Sequence, residues 1–281
     1  MLSNTIIVST TDISEVFSLN QILHVKQIEK IYTIEQGCTC PIKAVLDSGK
    51  KCIIKYPNNN MGIIVLINEY ISYRIAKLVN LTTPDFYIAC IDENTKIIDG
   101  LNPAKYKGIV FGCDYIESFK ISNQVAKHVS NLNETCRMVA LDEVVKNRDR
   151  HPPNILVNFH GTAAKMYFID YSHAFGDPEW RIPDLSLSDI ESPEVWDENK
   201  ECYEILLKAG ATFTHESFKE ESLLFQEKIT EEKLDLIIND IPKEWLESSR
   251  KQNLFHAKKY ILNRVKNLDK IWEVISRRRS N

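Results

Sequence analysis

The strongest constraint on this chain is a change of pattern along its length. Up to about residue 115, short β-like runs surround one helical stretch, and beyond about residue 195 the pattern is almost wholly helical. Strands gathered early and helices gathered late is the order of an α+β chain. No repeat, low-complexity segment or Gly/Ser linker interrupts it, so any boundary is a short connection inside a compact unit. At 281 residues, one large domain or two lobes are both allowed, because single cores stop growing at roughly 250–300 residues.

Residues 52–56 alternate as a strand, with Cys52, Ile54 and Tyr56 on one face and Ile53 and Lys55 on the other. The helix that follows has Ile67, Ile71, Ile75 and Leu78 at spacings of four, four and three, one apolar stripe with Glu69 beside it. Thr82-Thr83-Pro84 closes that region, since the residue before proline avoids the α conformation. Strand-like runs follow at 86–91 and 108–113. A second helix holds Met138, Leu141, Val144 and Val145, with Asn131 or Asn133 as its N-cap, and ends just before Asn147. Residues 155–157 and 166–169 then flank 158–165, where His160-Gly161 supplies the turn of a hairpin. Asn154 at the entrance of one strand and Asp170 at the exit of the other come side by side in an antiparallel pair.

Polar side chains gather on both sides of this hairpin, from Asn147 to Asn154 and from Asp170 to Phe175. Phosphoryl transfer needs a divalent cation on hard oxygen ligands, a carboxylate to orient the attacking hydroxyl, and a positive charge for the nucleotide phosphates. Asn154 and Asp170 supply the oxygens. Asp149, five residues before Asn154 on a Pro-containing turn, reaches the same space and is the base candidate.

Composition narrows the field from the other side. With 35 Lys+Arg against 39 Asp+Glu, the net charge of -4 argues against direct nucleic-acid binding. The longest apolar run, 63–67, is far short of the ~20 residues a bilayer-spanning helix needs, and the first residues lack a signal pattern. A soluble, cytoplasmic protein without stable membrane insertion is expected. Seven cysteines show no C-x-x-C spacing and read as buried structural thiols of a reducing compartment.

Asp149-Arg150-His151, then Asn154-Ile155-Leu156, then a strand ending Ile169-Asp170 with His173 and Phe175 nearby, resemble the catalytic and metal-binding segments of two kinase groups. These are the phosphatidylinositol 3- and 4-kinases and the HipA-like kinases. Upstream, Gly37-Cys38-Thr39-Cys40-Pro41-Ile42-Lys43 resembles the HipA-like phosphate loop, Ile54-Lys55 its strand lysine, and Asn68-Glu69-Tyr70 its helix glutamate. The similarity spans residues 37–175, and the short chain favours the stand-alone HipA-like kinases.

The resemblance implies an α+β, two-lobed, protein-kinase-like fold. A small β-rich lobe covers residues 1–113 and a larger, mainly helical lobe covers 114–281, with ATP and Mg2+ between them. Lys55 would contact the α and β phosphates and pair with Glu69. The backbone at Gly37, Cys38 and Thr39 would cover the triphosphate. Asp149 would accept or orient the acceptor hydroxyl, His151 would face the γ-phosphate, and Asn154 and Asp170 would hold the metal. Adenine would lie against the 113–116 connection, exchanging hydrogen bonds with the backbone at Asp114 and Tyr115. The acceptor is expected to be Ser or Thr of a protein, and the resemblance leaves room for an antitoxin-like or regulatory protein partner.

Asp170 is followed by Tyr171-Ser172 rather than Phe-Gly, and the Gly37 loop is poor in glycine, with no Gly-Lys-Ser/Thr. These departures keep open a catalytically weak nucleotide-binding or interaction module, and the Asp-Arg-His wording keeps open an inositol-lipid kinase. Nucleotidyl transfer through a flipped ATP is a further alternative. Arg150 either fixes the catalytic loop or binds an acceptor phosphate, and His173 either braces the loop after Asp170 or joins the chemistry. Trp180, Trp196, Trp245 and Trp272 read as core anchors, and Arg277-Arg278-Arg279 as a frayed, solvated tail.

Overall fold

The computed structural model describes residues 21–32, 38–98, 102–161, 163–176, 190, 194–246 and 250–279. Gly37 and Trp180 therefore lie outside the described residues.

Strands β1 (Leu23–Ile31), β2 (Ile42–Leu46), β3 (Lys51–Lys55), β4 (Phe86–Ile91) and β5 (Gly108–Asp114) close into a barrel in the order β1-β2-β3-β5-β4. Period-two alternation builds it: Ile42, Ala44, Leu46, Cys52 and Ile54 point into one buried cluster with Tyr56, Tyr87 and Val110. Gly112 is required where the wall is tightest, because a Cβ there would stand 2.6 Å from the Tyr87 ring. The expected strands at 86–91 and 108–113 are present, the second longer by one residue.

His24 on β1 ties the barrel's edge together, with Nδ1 3.1 Å from Asp47 Oδ2 and Nε2 3.0 Å from Asp92 Oδ1. The Asp92 hydrogen bond raises its pKa, against the opposing pull of burial. A raised folded-state pKa stabilises the fold fully below the ordinary imidazole value, and that contribution disappears as pH rises through the folded value. Unfolding in urea is therefore expected to show His24→Gln falling behind the parent at about pH 6 and matching it at about pH 9. An equal difference at both values would reject the linkage.

Helix α1 (Ile64–Leu78) differs from its expectation. In place of one apolar stripe, every residue except Lys77 is buried, Asn68, Glu69 and Arg74 included. It packs against β5, helices α2 (Thr135–Val144) and α5 (Glu231–Asn239) and the 3₁₀ turn Lys243–Trp245. Buried charge needs a partner: Arg74 Nη1 donates to Asp240 Oδ2 at 2.9 Å, and the Tyr70 hydroxyl donates to the same oxygen at 2.6 Å. Trp245, fully buried, donates its indole N–H to Ile109 O of β5 at 2.9 Å and meets the Tyr70 ring edge to face.

The three-stranded sheet β6 (Phe119–Lys120), β7 (Ile155–His160) and β8 (Ala163–Phe168) contains the expected hairpin. The ladder extends further than expected, to His160 opposite Ala163. Only one face of the pair is buried, through Ala164, Met166 and Phe168, so polar Asn158 and Lys165 fit the strands. Asn131 does not cap α2. Its side chain accepts from Met166 N–H at 2.8 Å and donates to Met166 O at 3.1 Å, extending the sheet, while Asn133 sits exposed in the 3₁₀ turn Leu132–Glu134.

Helices α3 (Glu194–Lys208), α4 (His215–Lys228), α6 (Arg250–Lys266) and α7 (Leu268–Arg279) complete the chain. The expected frayed tail is instead the last turn of α7. Trp196, Trp245 and Trp272 are buried, Trp272 stacking on Phe218 with ring centroids 4.4 Å apart. All seven cysteines are free, and burial pushes Cys136 and Cys202 up to about 12, which makes them inert as thiolates. Among the described residues, no helix is long and apolar enough to cross a membrane.

Candidate active site

Lys55 ends β3 on the outer face of the barrel, paired in register with Phe111 of β5. Its buried ammonium donates to Glu69 Oε1 of α1, to Asp170 Oδ1 at 2.8 Å and to the Ser172 hydroxyl at 2.6 Å. Three acceptors use all three donors of an ammonium. Burial alone would lower its pKa, but Asp170 and Glu69 outweigh that cost and hold the pKa above the ordinary lysine value. Burial pushes Glu69 up to about 7 in spite of Lys55, because Asp170 adds a second negative charge that one lysine cannot also neutralise. Asp170, which burial would also push up, is held well below the usual carboxylate range by Lys55 and by hydrogen bonds from Lys55 and Ser172.

The segment after β8 is fastened to α1. Asp170 adopts φ 61°, a left-handed conformation that aspartate tolerates better than most residues. Tyr171 N–H donates to Glu69 Oε1 at 3.0 Å, and the Ser172 hydroxyl donates to Asp170 Oδ1. Asn68, fully buried, donates from Nδ2 to Ser172 O at 2.7 Å and to Ala174 O at 3.1 Å. Ser172 thus occupies the place where the resemblance would put a flexible glycine, and its buried side chain links Lys55 to Asp170.

The loop between α2 and β7 is built around Arg150. Its fully buried guanidinium meets both oxygens of the equally buried Asp142, at 2.9 and 3.1 Å, and stands 4.8 Å from the centre of the Tyr171 ring. Nη1 also donates to Asn154 O at 3.1 Å and Ile169 O at 2.6 Å, so one side chain grips the backbone just before β7 and just after β8. Asp142 takes further hydrogen bonds from Asn147 Nδ2 and the Tyr203 hydroxyl, and Asn199 of α3 accepts from Arg150 N–H at 2.8 Å. Of the two roles open for Arg150, the structural one is observed. Sequence reasoning did not find Asn68, Asp142, Ser172, Asn199 or Tyr203; for Asn68 and Asp142 the available signal was a polar residue set within an apolar helical run.

Asn154 and Asp170 sit side by side in the backbone: Ile155 pairs with Phe168, and Ile169 N–H donates to Asn154 O at 3.1 Å. Asn154 Nδ2 donates to Asp149 O at 2.8 Å, which turns its oxygen the other way. Among the described residues, no three His, Cys, Asp or Glu side chains group to hold a metal ion. One carboxamide and one carboxylate oxygen fit a hard cation that keeps waters and takes its remaining ligands from phosphates, as Mg2+ does. Asp149 is partly exposed, and its Oδ2 lies 3.7 Å from His151 Nε2 and 3.8 Å from His173 Nε2.

Cys38 is exposed and Thr39 buried, in the turn leading to β2, whose Ile42 pairs with Ile54 beside Lys55. In the connection expected to meet adenine, Asp114 N–H donates to Asp85 O at 2.8 Å and Tyr115 N–H to Lys51 O at 3.1 Å, so both N–H donors are engaged within the protein. The Asp114 carboxylate pairs with Lys50 at 2.8 Å, and the Tyr115 ring lies 3.8 Å beneath the Lys43 ammonium.

Several solved structures are similar to this chain. The Helicobacter pylori proinflammatory kinase CtkA is 14% identical with a TM-score of 0.49, over 92% of this chain and 98% of that one. The Golgi casein kinase with Mn/ADP bound is 12% identical with a TM-score of 0.48, over 94% and 76%. HipA in the Shewanella oneidensis MR-1 complex with HipB and operator DNA is 11% identical with a TM-score of 0.41, over 79% and 60%. Among curated proteins, none matches the chain. The family model described as HipA-like kinase matches residues 26–275, most of the sequence, and this chain therefore belongs to the HipA-like kinases.

Proposed function

We propose that this kinase transfers the γ-phosphoryl group of Mg-ATP to serine or threonine hydroxyls of a protein. The observation that carries the proposal is the hydrogen-bonded unit in which Lys55 joins Glu69 of α1 to Asp170, with Asn154 beside Asp170 in the backbone. The nucleotide lies between a lobe of residues 1–113 and a lobe of residues 114–281, beneath the turn at Cys38 and Thr39, which Gly37 precedes in the sequence. Donation to adenine comes from amides beyond Tyr115, since those of Asp114 and Tyr115 are taken.

Lys55 supplies a permanent charge to the α and β phosphates, held in place by Glu69. Asn154 and Asp170 would hold Mg2+, which when bound would offset the negative charge of the phosphate oxygens. Asp149 receives the proton of the acceptor hydroxyl as its oxygen bonds to phosphorus and the bond to the ADP oxygen breaks. His151 faces the phosphoryl group in transit. Most of the acceleration comes from charges already in place before the reaction.

The test is transfer from γ-labelled ATP and Mg2+ to a library of Ser, Thr and Tyr peptides, with phosphatidylinositol vesicles offered in a parallel reaction. Label on serine or threonine peptides is expected. Label on lipid, or incorporation from α-labelled ATP, would replace the proposal with one of its alternatives.

A further inference from the structure

His173 presents an imidazole to Asp149 from a segment with no slack. Its two neighbouring carbonyls, Ser172 O and Ala174 O, are both held by the one side-chain amide of Asn68, at 2.7 and 3.1 Å. Ala174 N–H closes a turn onto Tyr171 O at 3.0 Å, and Phe175 N–H donates to Val145 O at 2.6 Å, at the end of α2. The backbone on both sides of His173 is therefore buried and bonded, while the imidazole itself is about one-third exposed and stands over the catalytic loop. Its Nε2 is 3.8 Å from Asp149 Oδ2, and His151 Nε2 is 3.7 Å from that same oxygen.

We propose that His173 is a positioning residue for Asp149. With Nε2 protonated, His173 donates to Asp149 Oδ2 from the side opposite the backbone that presents the carboxylate, and the other carboxylate oxygen is left to face the acceptor hydroxyl. The inference rests on Asp149 as the proton acceptor and assigns how that carboxylate is aimed. A separation of 3.8 Å is longer than a hydrogen bond. Contacts of this kind tighten when substrate closes the site, and here only side-chain rotations are needed because the backbone of residue 173 is already held.

The imidazole is about one-third exposed, unlike the buried residues on either side of it. Asn68 bonds to the flanking carbonyls and not to the ring, so truncating the ring leaves the clamp intact. His173→Ala is expected to lower kcat by about tenfold or more, with the KM for ATP and the unfolding midpoint unchanged. His173→Gln, whose amide nitrogen reaches the position of Nε2, is expected to recover most of the loss, as is imidazole added to His173→Ala. Placed on Asp149→Asn, His173→Ala is expected to cost nothing further, since residues acting as one unit are not additive.

A His173→Ala enzyme with parental kcat, or a loss that imidazole and glutamine leave untouched, overturns the proposal while leaving the kinase reading in place if Asp149→Asn is inactive. Full activity in Asp149→Asn overturns the proposal together with the reading of Asp149 as proton acceptor, and leaves transfer itself standing.

Discussion

Replacing Asp149 by asparagine is expected to reduce phosphoryl transfer by about 10²–10⁴-fold. The carboxamide has nearly the same shape but cannot take up the hydroxyl proton. Asp149 is partly exposed, and the hydrogen bonds that hold it run through its backbone, to Asn147 and Asn154, which the substitution keeps. Stability should stay within about 0.5 kcal/mol of the parent, as at other exposed positions. The measurement is kcat with γ-labelled ATP beside a urea unfolding curve. Undiminished transfer in a folded variant would remove Asp149 from the chemistry.

The largest effect on stability is expected at Arg150. Arg150→Leu leaves Asp142 buried and charged, with only Asn147 and Tyr203 to answer it, and should cost about 3–5 kcal/mol. Arg150→Lys should lose much of the same amount. Lysine offers donors from a single point, and the arginine fork serves both Asp142 oxygens and two carbonyls at once. Because two of those bonds hold Asn154 O and Ile169 O, the surviving folded enzyme should also bind Mg-ATP more weakly. Urea midpoints and the KM for ATP check the two effects separately; a lysine variant with parental values in both would contradict the clamp.

Much of the site was legible because local periodicity decides it. Strand alternation alone turns Lys55 away from Ile54 and Tyr56, and a hairpin register alone brings Asn154 beside Asp170. The positions that escaped depend on partners far away in the chain. The full burial of α1 is set by Asp240 and Trp245, and the buried Asp142 by Arg150, Asn147 and Tyr203. The amides of Asp114 and Tyr115 are spent on Asp85 and Lys51, a matter of strand neighbours that no window of sequence contains. Asn131 looked like a cap because asparagine often is one, and was recruited by the Met166 backbone of a strand formed later in the chain.

The packing around α1 bears on how such an enzyme is governed. A helix that can roll outward, carrying its glutamate away from the lysine, gives a kinase an off position. Here Arg74 and Tyr70 are moored to Asp240, Asn68 and Glu69 to the strip beyond Asp170, and Trp245 wedges the same helix against β5. Moving Glu69 away from Lys55 by a roll of this helix would have to break all of these contacts together.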